Sequence, residues 1–492
     1  MSCLWDSIAP SGAGADTRAA AGGADVGATL HGRGASVAPA ELSAASTFGT
    51  ALESLRGRSV LIAVREQLAA ALALIELDGL AGRMVLCTPD LTPEQLAHVA
   101  ATAQADAIVL DAPAAASSPT TPPAASSAAP PATSPAAPPP AHLESYVVTP
   151  RPIPTALSRT SSERTEWILL TSGTTGTPKL VQHTLQSLGG ALPAHTPSGA
   201  QTIWSTFYDI RRYGGLQIYL RAVLSRSPLV LSSAGETTQD FLARAAAAGV
   251  THISGTPSHW RRVLMSGDAA ILKPQYVRSS GEVADQALLD NLRAAYPEAR
   301  IAHAFASTEA GVAFDVNDGR AGFPQDFVDG ARGGIELKVV DHTLRIRSGR
   351  NAARYLGAEA PVLVGDDGYV DTGDRVELLE GRYYFRGRMG GVINVGGLKV
   401  YPEEVEAVLN ADPRVRMSLV RAKRNPITGA VVVADVVLID AADGAVADAP
   451  DAVKNSLLDA CRRALAAHKV PAMLRFVPAL EFTAAGKLVR PS

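Results

Sequence analysis

Residues 171–179 read Thr171-Ser172-Gly173-Thr174-Thr175-Gly176-Thr177-Pro178-Lys179 and directly follow the apolar run Trp167-Ile168-Leu169-Leu170. The apolar run predicts a buried strand. The loop after it combines glycines, which tolerate positive φ, with hydroxyl groups and one ammonium. Backbone N–H groups, hydroxyls and a point charge are donors that suit a phosphate. The sequence therefore predicts a phosphate-binding loop at the end of a strand.

The loop does not fit the Walker pattern of P-loop kinases and GTPases. A G-x-x-x-x-G-K motif that starts at Gly173 requires a second glycine where Pro178 stands. A P-loop kinase or GTPase is therefore disfavoured, and an ordinary polar surface turn remains the alternative for the loop taken alone.

Strand and helix patterns alternate on both sides of the loop. Apolar runs predict strands over 59–64, 84–87 and 107–110, and periodic segments predict helices over 66–77 and from the Thr92-Pro93-Glu94 cap. The alternation continues through Gly381 and predicts a mixed sheet covered by helices. The predicted class is α/β, with a large multi-layer N-terminal domain.

A second, smaller α/β domain is predicted after Arg388. The runs 392–395 and 398–400 flank a Gly-Gly pair and predict a hairpin, and a helix is expected over 402–409. Two strand-like runs follow, around 418–420 and 431–433. Leu457, Cys461 and Leu465 then recur at four-residue spacing and predict an amphipathic helix.

Composition sets the domain limits and excludes some partners. Residues 1–45 are rich in Ala, Gly and Ser and predict a disordered arm, whereas 112–141 is nearly all Ala, Pro, Ser and Thr and predicts a linker or long loop. The N-terminal domain is expected over 46–389 and a mobile C-terminal domain over 390–492. A net charge of -3 gives no general attraction to nucleic acid.

The compartment is predicted from the start of the chain and from its cysteines. No signal peptide pattern or membrane-spanning run is present, so the protein is expected to be cytoplasmic. Cys3, Cys87 and Cys461 are widely spaced and odd in number, which favours free thiols over disulfides or a metal site.

The loop resembles the phosphate loop of the adenylate-forming superfamily, which includes acyl-CoA synthetases, adenylation domains and luciferases. The resemblance extends from about Trp167 to Lys487 because further motifs follow in the family's order. By this resemblance the ATP-binding residues are Thr171, Ser172, Gly173, Thr174, Thr175, Gly176, Lys179, Gly281, Glu282, Phe305, Asp374 and Arg388.

The run Ala304-Phe305-Ala306-Ser307-Thr308-Glu309 resembles the family's aromatic-Gly-x-Thr-Glu motif. The resemblance implies that Phe305 stacks on adenine, that Thr308 contacts the α-phosphate and that Glu309 holds Mg²⁺. Phe305 replaces the commoner Tyr, and Ala306 replaces Gly. A Thr-Glu pair alone is weak evidence, since a helix cap explains it about as well.

The run Tyr369-Val370-Asp371-Thr372-Gly373-Asp374 resembles the motif whose last carboxylate binds the ribose hydroxyls. An ionised carboxylate accepts two O–H donors, so Asp374 has suitable chemistry. A Gly-containing turn between strands is the alternative. Arg388, in Phe385-Arg386-Gly387-Arg388, would also reach the ribose.

The remaining motifs belong to the family's mobile domain. Gly390 falls at the interdomain hinge, where Asp or Lys is usual, and Asn394 stands where Lys is frequent. Gly397 would line the channel for a pantetheine thiol. Lys487, in Phe482-Thr483-Ala484-Ala485-Gly486-Lys487, would bridge the substrate carboxylate and the α-phosphate during adenylation, although a lone C-terminal Lys is usually only a solvated charge.

The acyl pocket is less sharply defined. Positions that resemble its walls are Phe207, Tyr208, Tyr213, Gly214, Ser254, Gly255, His259, Ser280 and Gly281. Arg211 and Arg212 would meet a polar substrate group or a phosphate of coenzyme A, or else be solvated arginines on a helix face. His259 is expected to make a local hydrogen bond rather than to act as a base.

The resemblance implies an ATP-dependent ligase that activates a small carboxylic acid as acyl-AMP and then transfers the acyl group to a thiol. Its cofactors would be ATP and Mg²⁺, with coenzyme A as the leading co-substrate. One alternative is a stand-alone enzyme that loads an acyl or peptidyl carrier protein. A second is a non-catalytic, ATP-binding scaffold, motivated by Ala306, Gly390 and Asn394.

Overall fold

A computed structural model describes residues 3–8, 28–111, 140, 142–155, 162–171, 177–192, 202–233, 235–388, 391–425, 429–439, 450–482 and 488–489. The contacts between Cα atoms divide the chain into two compact units. Unit 1 is Met1–His252 with Ala352–Leu363, and unit 2 is Ile253–Asn351 with Val364–Ser492. This division does not coincide with the boundary expected at 389/390, which stays a prediction.

The α-helices among the described residues are α1 Leu4–Ile8, α2 Gln67–Leu77, α3 Pro93–Ala103, α4 Leu185–Gly189, α5 Tyr213–Leu224, α6 Thr238–Ala247, α7 Pro257–Met265, α8 Gln286–Ala295, α9 Pro402–Asn410 and α10 Pro450–Ala464. Short 3-10 turns cover Pro39–Ser43, Gly49–Leu55, Asp268–Ile271, Gln325–Phe327 and Ala467–Lys469.

The first strands in chain order are β1 Leu30–His31, β2 Ser36–Val37, β3 Ala45–Ser46, β4 Ser59–Ile62, β5 Arg83–Leu86, β6 Ala107–Asp111, β7 Glu144–Val148, β8 Ile153–Pro154, β9 Glu166–Thr171, β10 Lys179–His183, β11 Trp204–Thr206, β12 Leu229–Leu231 and β13 His252–Gly255. The later strands are β14 Tyr276–Ser280, β15 Arg300–Ser307, β16 Gly311–Val316, β17 Phe323–Pro324, β18 Ile335–Val340, β19 Thr343–Ser348, β20 Arg354–Tyr355, β21 Val370–Leu379, β22 Arg382–Arg388, β23 Ile393–Val395, β24 Leu398–Val400, β25 Val415–Asn425, β26 Gly429–Leu438 and β27 Met473–Phe476.

A seven-stranded mixed sheet lies in unit 1, with strand order β20-β10-β9-β5-β4-β6-β7. The strands β7, β6, β4, β5 and β9 run parallel, whereas β10 is antiparallel to both β9 and β20. β4 is buried along its whole length, as expected for a strand covered on both faces. α3 packs on the sheet through Leu96, Val99 and Ala103. The predicted α/β class is confirmed.

The helices of this sheet begin where the sequence signals them. Thr92 accepts a hydrogen bond from Gln95 N (3.2 Å), and the Gln95 side chain accepts one from Thr92 N (3.0 Å), which forms a capping box before α3. α2 is buried all round because it is apolar on nearly every side, and its buried Glu76 accepts a hydrogen bond from Thr47 N (2.9 Å).

The prediction that residues 1–45 form a disordered arm is wrong for those of them that the structure describes. β1 pairs in parallel with β12 through Leu30 and Leu229. In α1, Leu4 is fully buried, and its N–H donates to Asp78 Oδ2 (2.7 Å). These segments are ordered because their few apolar residues are buried against distant strands and helices. Residues 9–27, and nearly all of the linker expected at 112–141, lie outside the described residues.

Two groups of strands in unit 2 matter for the site. β14 and β15 run parallel, and β16 returns antiparallel to β15. A five-stranded antiparallel sheet has the order β17-β22-β21-β19-β18.

The predicted small α/β domain forms one core within unit 2. β23 and β24 form the expected hairpin, with Ile393 opposite Val400, and β25-β26-β27 form a three-stranded sheet. α9 and α10 pack on it, and Leu457 and Cys461 of α10 are fully buried. The predicted hairpin and both helices are confirmed.

The state of the cysteines and the hydropathy of the helices are relevant to the cellular location of the protein. Cys3, Cys87 and Cys461 are buried, and each is a thiol rather than part of a disulfide, as predicted. No helix among the described residues is both long and apolar enough to cross a bilayer. The cytoplasmic location stays a prediction.

Candidate nucleotide and acid site

The two ends of the predicted phosphate loop face each other on adjacent strands of unit 1. Thr171 ends β9 and Lys179 begins β10, and the two residues are paired across the ladder. β9 and β10 are therefore antiparallel neighbours, and Thr171 and Lys179 lie side by side at one end of the pair. Ser172, Gly173, Thr174, Thr175 and Gly176 lie outside the described residues.

Lys179 is exposed and lies over an aromatic ring. Its Nζ is 5.3 Å from the centroid of Tyr355, which lies on β20 next to β10. An ammonium over a ring face is attracted by the ring quadrupole. Sequence reasoning missed Tyr355, because no local motif marks a residue so distant from the loop.

A row of polar side chains fixes the register of β10. Arg354 Nε donates to Gln182 Oε1 (2.8 Å), and Gln182 Nε2 donates to Glu166 Oε1 (2.8 Å). Glu166 Oε2 accepts from Arg83 Nε (2.7 Å). The row spans β20, β10, β9 and β5, so it holds the strands on both sides of the loop at a fixed offset.

The predicted ribose residues Asp374 and Arg388 meet in unit 2. They are paired across β21 and β22, and Arg388 Nε donates to Asp374 Oδ1 (2.9 Å). Asp374 Oδ2 is buried and has no hydrogen-bond partner within the described residues. A buried acceptor without a donor is unfavourable, so this oxygen is suited to a ligand hydroxyl. The alternative of a turn is wrong, since Asp374 lies inside a strand.

Phe305, predicted to stack on adenine, lies on β15 beside other aromatic rings of unit 2. It stacks on Phe385 of β22 with centroids 5.0 Å apart and planes 7° apart, and on its cross-strand partner Phe314 at 5.8 Å. Phe385 is three residues before Arg388 on the same strand. The structure therefore brings the predicted adenine and ribose residues together through Phe385, which the sequence reasoning did not assign.

Thr308 and Glu309 lie in the turn between β15 and β16. The alternative of a helix cap is wrong, because the turn connects two antiparallel strands. Within the described residues, no group of three or more His, Cys, Asp or Glu side chains could hold a metal ion. A single carboxylate is nevertheless a suitable donor for Mg²⁺, which commonly binds through one or two carboxylates together with substrate phosphates.

Glu282 has a structural partner at the start of α7. Gly281 lies between β14 and Glu282. Its φ of +85° is a conformation that favours glycine. Glu282 Oε2 accepts from Ser258 N in the first turn of α7 (2.9 Å). A carboxylate at a helix N-terminus satisfies an otherwise unpaired N–H group and is favoured by the helix dipole.

His259 makes the local hydrogen bond that was predicted. Its Nδ1 lies 2.9 Å from Thr256 Oγ1 and 3.2 Å from Thr256 N, at the start of α7. Burial lowers the pKa of His259 to about 3, and Arg262 adds to this shift. The ring is therefore neutral at physiological pH.

The other predicted pocket residues are divided between the units. In unit 1, Phe207 follows β11 and packs edge-on against Phe241 of α6 (5.1 Å), and Tyr213 is the buried first residue of α5. In unit 2, Gly255 ends β13. Their role as an acyl pocket stays a prediction.

Both interpretations of Arg211 are wrong. Its side chain is buried, and its Nη2 pairs with Asp209 Oδ2 at 2.6 Å. The guanidinium also donates to the carbonyl oxygens of Val64 and Arg65 beyond β4. Arg211 therefore stabilises the interior by joining Asp209 to the backbone that follows β4, and it is neither a substrate contact nor a solvated charge. Arg212 is partly exposed and pairs with Asp90 (2.8 Å).

Three residues of the mobile-domain prediction remain. Gly390 and Lys487 lie outside the described residues. Gly397 lies in the turn between β23 and β24 with φ +87°, and its N–H donates to Asn394 Oδ1 (2.9 Å). Asn394 thus closes the hairpin turn.

The chain belongs to the family of AMP-binding enzymes. The family model for the AMP-binding enzyme matches residues 42–350, and the model for the AMP-binding enzyme C-terminal domain matches residues 404–487. The resemblance to the adenylate-forming superfamily is therefore confirmed.

Similar proteins include ligases that use coenzyme A. A 2-succinylbenzoate–CoA ligase of Salmonella typhimurium is 31% identical over 262 residues, which are 51% of this chain and 53% of that ligase. The chain thus spans about half the length of the curated relatives that it first matches.

Two solved structures share the fold. The o-succinylbenzoate CoA synthetase from Bacillus subtilis, in complex with an acyl-adenylate intermediate, aligns with a TM-score of 0.69 at 18% identity and covers 94% of each chain. ATP-bound MatB from Rhodopseudomonas palustris aligns with a TM-score of 0.70 at 18% identity and covers 95% of each chain.

Proposed function

We propose that this protein is an ATP-dependent, AMP-forming ligase that activates a carboxylic acid as an acyl-adenylate and transfers the acyl group to a thiol. The observation that carries the proposal is the environment of Asp374: among the residues that the structure describes, its buried Oδ2 has no donor, while Arg388 donates to Oδ1. Two ribose hydroxyls would supply the missing donors. Membership of the AMP-binding enzyme family gives independent support.

In the first step, a carboxylate oxygen of the acid attacks the α-phosphorus of ATP. The new bond joins that oxygen to phosphorus, and the bond to the bridging oxygen breaks, so pyrophosphate leaves with its electron pair. No proton transfer is required. The barrier comes mainly from bringing anions together, which preorganised positive groups reduce.

Several residues would serve this step. Lys179 and the N–H and hydroxyl groups of the loop would hold the pyrophosphate portion, and Thr308 and Lys487 would contact the α-phosphate. Mg²⁺ bound with ATP would neutralise phosphate charge, with Glu309 as its protein carboxylate. Phe305 and Asp374 would hold the adenosine.

In the second step, a thiol sulfur attacks the acyl carbon and loses its proton to water. The bond between the acyl carbon and the phosphate oxygen breaks, so AMP leaves with that electron pair. The small domain would turn about Gly390, which would withdraw Lys487 and bring Gly397 to the thiol channel. Coenzyme A is the leading acceptor because several relatives are named as CoA ligases. A carrier protein's phosphopantetheine presents the same thiol and is the alternative.

The lysine of the terminal motif provides the first prediction. Lys487→Ala should abolish acyl-adenylate formation and leave thioester formation from supplied acyl-adenylate nearly unchanged, because the ammonium acts only while negative charges meet at the α-phosphorus. Each half-reaction would be measured separately. Equal loss of both would contradict the assignment of Lys487 to one step.

The acid and the acceptor can be identified by one screen. Acid-dependent exchange of pyrophosphate into ATP would be measured over aliphatic and aryl acids, with 2-succinylbenzoate included because relatives are named for it. Active acids would then be tested with coenzyme A and with a phosphopantetheinylated carrier protein. Acylation of the carrier alone would overturn coenzyme A as the acceptor. Absence of Mg·ATP binding by calorimetry would overturn the whole proposal.

A further inference from the structure

The turn that carries Thr308 and Glu309 is short and closed. It consists of Thr308, Glu309 and Ala310 and joins β15 to β16, with Ser307 and Gly311 paired across its base. The whole hairpin lies in unit 2. Thr308 and Glu309 are the residues proposed to contact the α-phosphate and Mg²⁺, so the position of this turn decides whether both side chains reach their ligands.

The ladder between β15 and β16 is irregular just before the turn. Phe305 is paired with Phe314, but the next residue, Ala306, is paired with Val312, so β16 contains one extra residue. Such a bulge bends the strand and changes the direction of the residues beyond it. A regular ladder therefore does not fix the turn relative to Phe305, and contacts at the turn itself must do so.

Ser307 makes the first of these contacts. Its Oγ accepts a hydrogen bond from Ala310 N across the turn (3.0 Å). Ala310 is fully buried, so its N–H group is out of reach of water. Because a buried N–H group that loses its acceptor is unfavourable, the hydroxyl favours the one conformation of the turn in which it reaches Ala310.

Gly311 makes the second contact, at the other end of the turn. Its φ is +74°, a conformation that favours glycine. A Cβ atom at this position would lie 2.6 Å from Arg350 O and 2.8 Å from Arg350 Cβ. The backbone of Arg350 therefore packs directly against Gly311, and a larger residue would displace one or the other.

Arg350 is itself fixed in unit 2. Its Nη1 donates to Val312 O of β16 (2.9 Å), and its N–H donates to Oγ of Ser348, the last residue of β19 (3.1 Å). Gly311 thus packs against a segment that is hydrogen-bonded to both β16 and β19. The turn is held at one end by Ser307 and at the other by this segment.

We propose that Ser307 and Gly311 position the turn so that Thr308 and Glu309 bind the phosphates and the metal of Mg·ATP. The inference rests on the proposed function. Ser307 and Gly311 are positioning residues, since they act through their neighbours in the chain. A purely structural role would instead weaken the binding of every part of the nucleotide alike.

Calorimetry of the full-length chain with two probes tests the inference. Ser307→Ala removes the hydroxyl that accepts from Ala310. The Kd for Mg·ATP should rise about fivefold, as expected for the loss of one hydrogen bond, whereas the Kd for adenosine should stay within about twofold. Adenosine is the matched probe because it has neither phosphate groups nor a metal. The kcat/KM for acid-dependent pyrophosphate exchange should fall at least as much as the affinity for Mg·ATP.

Two further variants examine the same turn. Ser307→Thr retains the hydroxyl and should bind Mg·ATP as the wild type does. Gly311→Ala adds a Cβ that meets the backbone of Arg350 and should weaken the binding of Mg·ATP more than that of adenosine. Thermal melting would establish which variants fold, and if either Ser307→Ala or Gly311→Ala does not fold, the other decides the question.

Two neighbouring residues beyond the end of α7 provide matched controls. Ser266 Oγ accepts a hydrogen bond from Asp268 N (3.4 Å), and Gly267 has φ +73° with no atom of the described residues within 4 Å of its Cβ position. Ser266→Ala and Gly267→Ala remove a similar hydroxyl and a similar glycine away from the turn. Both should leave the Kd for each probe within about twofold of the wild type.

The possible failures are distinguishable. A wild-type protein that binds no Mg·ATP would overturn the proposed function and the positioning role with it. A wild type that binds Mg·ATP, with an unchanged Mg·ATP affinity in Ser307→Ala or an equal loss for both probes, would overturn the positioning role alone. Binding of Mg·ATP by Ser307→Thr as weakly as by Ser307→Ala would also overturn it.

Discussion

At the scale of single residues, Asp374 has the environment that is best suited to binding a ligand. One oxygen accepts from Arg388 Nε, and the other is buried without a donor within the described residues. Asp374→Asn removes the charge that favours two hydroxyl donors, and hydrogen bonds to a charged group are worth about 1.5–3 kcal/mol. KM for ATP in pyrophosphate exchange should therefore rise by about tenfold or more.

The same strand pair offers a control for Asp374→Asn. Glu377 on β21 pairs with Arg386 on β22 at 2.8 Å, but the side chain of Glu377 is 48% exposed, whereas that of Asp374 is 13% exposed. Glu377→Gln should leave KM for ATP within twofold. Similar increases in both variants would point to damage of the sheet rather than to loss of a ribose contact.

Lys179 provides a second test at this scale. Tyr355→Leu removes the ring beneath its ammonium, and an exposed cation–π contact is worth about 0.5–1 kcal/mol. We expect KM for ATP to rise about two- to fivefold, because Lys179 would explore more rotamers before it meets a phosphate. Tyr355→Phe keeps the ring face and should behave as the wild type. An unchanged KM in Tyr355→Leu would show that the ring does not position Lys179.

The sequence motifs predicted which residues belong to the candidate site better than they predicted which residues those side chains contact. Asp374 and Arg388 were assigned from separate motifs, and the β21–β22 ladder pairs them. Tyr355 was not foreseeable, because sheet pairing alone brings it to Lys179. Arg211 was misjudged because two adjacent arginines are usually solvated, whereas Asp209 and backbone carbonyls compensate its burial.

At the scale of elements, α7 gives unit 2 a pH-sensitive contact. The pKa of His259 is lowered by burial to about 3, whereas an unfolded histidine titrates near 6.5. The unfolded chain therefore binds more protons between these values, so this contribution to stability is complete above about pH 6.5 and falls as the pH drops towards 3.

His259→Asn should reduce this sensitivity, because a neutral amide can accept near the position of Nδ1. Urea denaturation midpoints at pH 7 and pH 4.5 should differ less in His259→Asn than in the wild type. His98→Asn alters an exposed histidine and should retain the wild-type difference. If His259→Asn lost as much stability on acidification as the wild type, the buried neutral imidazole would not be the cause.

Elements with strong local signals were predicted well, and short ones were not. α3 begins at its capping box, and β4 is a contiguous apolar run. β1 is only two residues long, and it forms because β12 lies beside it. The burial of Leu4 and Leu30 was therefore not predicted from a segment rich in Ala and Gly, because it depends on contacts that are distant in sequence.

At the scale of the whole molecule, the predicted α/β class and the family are confirmed. The domain boundary expected at 389/390 stays a prediction. The return of Ala352–Leu363 to unit 1 could not be predicted, since composition marks only contiguous stretches. The pairing of β20 with β10 accounts for that return. The hinge at Gly390 and the action of Lys487 stay proposals.

The central claim is that the acid carboxylate attacks the α-phosphorus of ATP. Transfer of oxygen from ¹⁸O-labelled acid tests it most directly, with AMP and the thioester analysed by mass spectrometry after turnover with a thiol. The account predicts one ¹⁸O atom in the phosphate of each AMP formed. Unlabelled AMP, or formation of ADP and labelled inorganic phosphate, would contradict it.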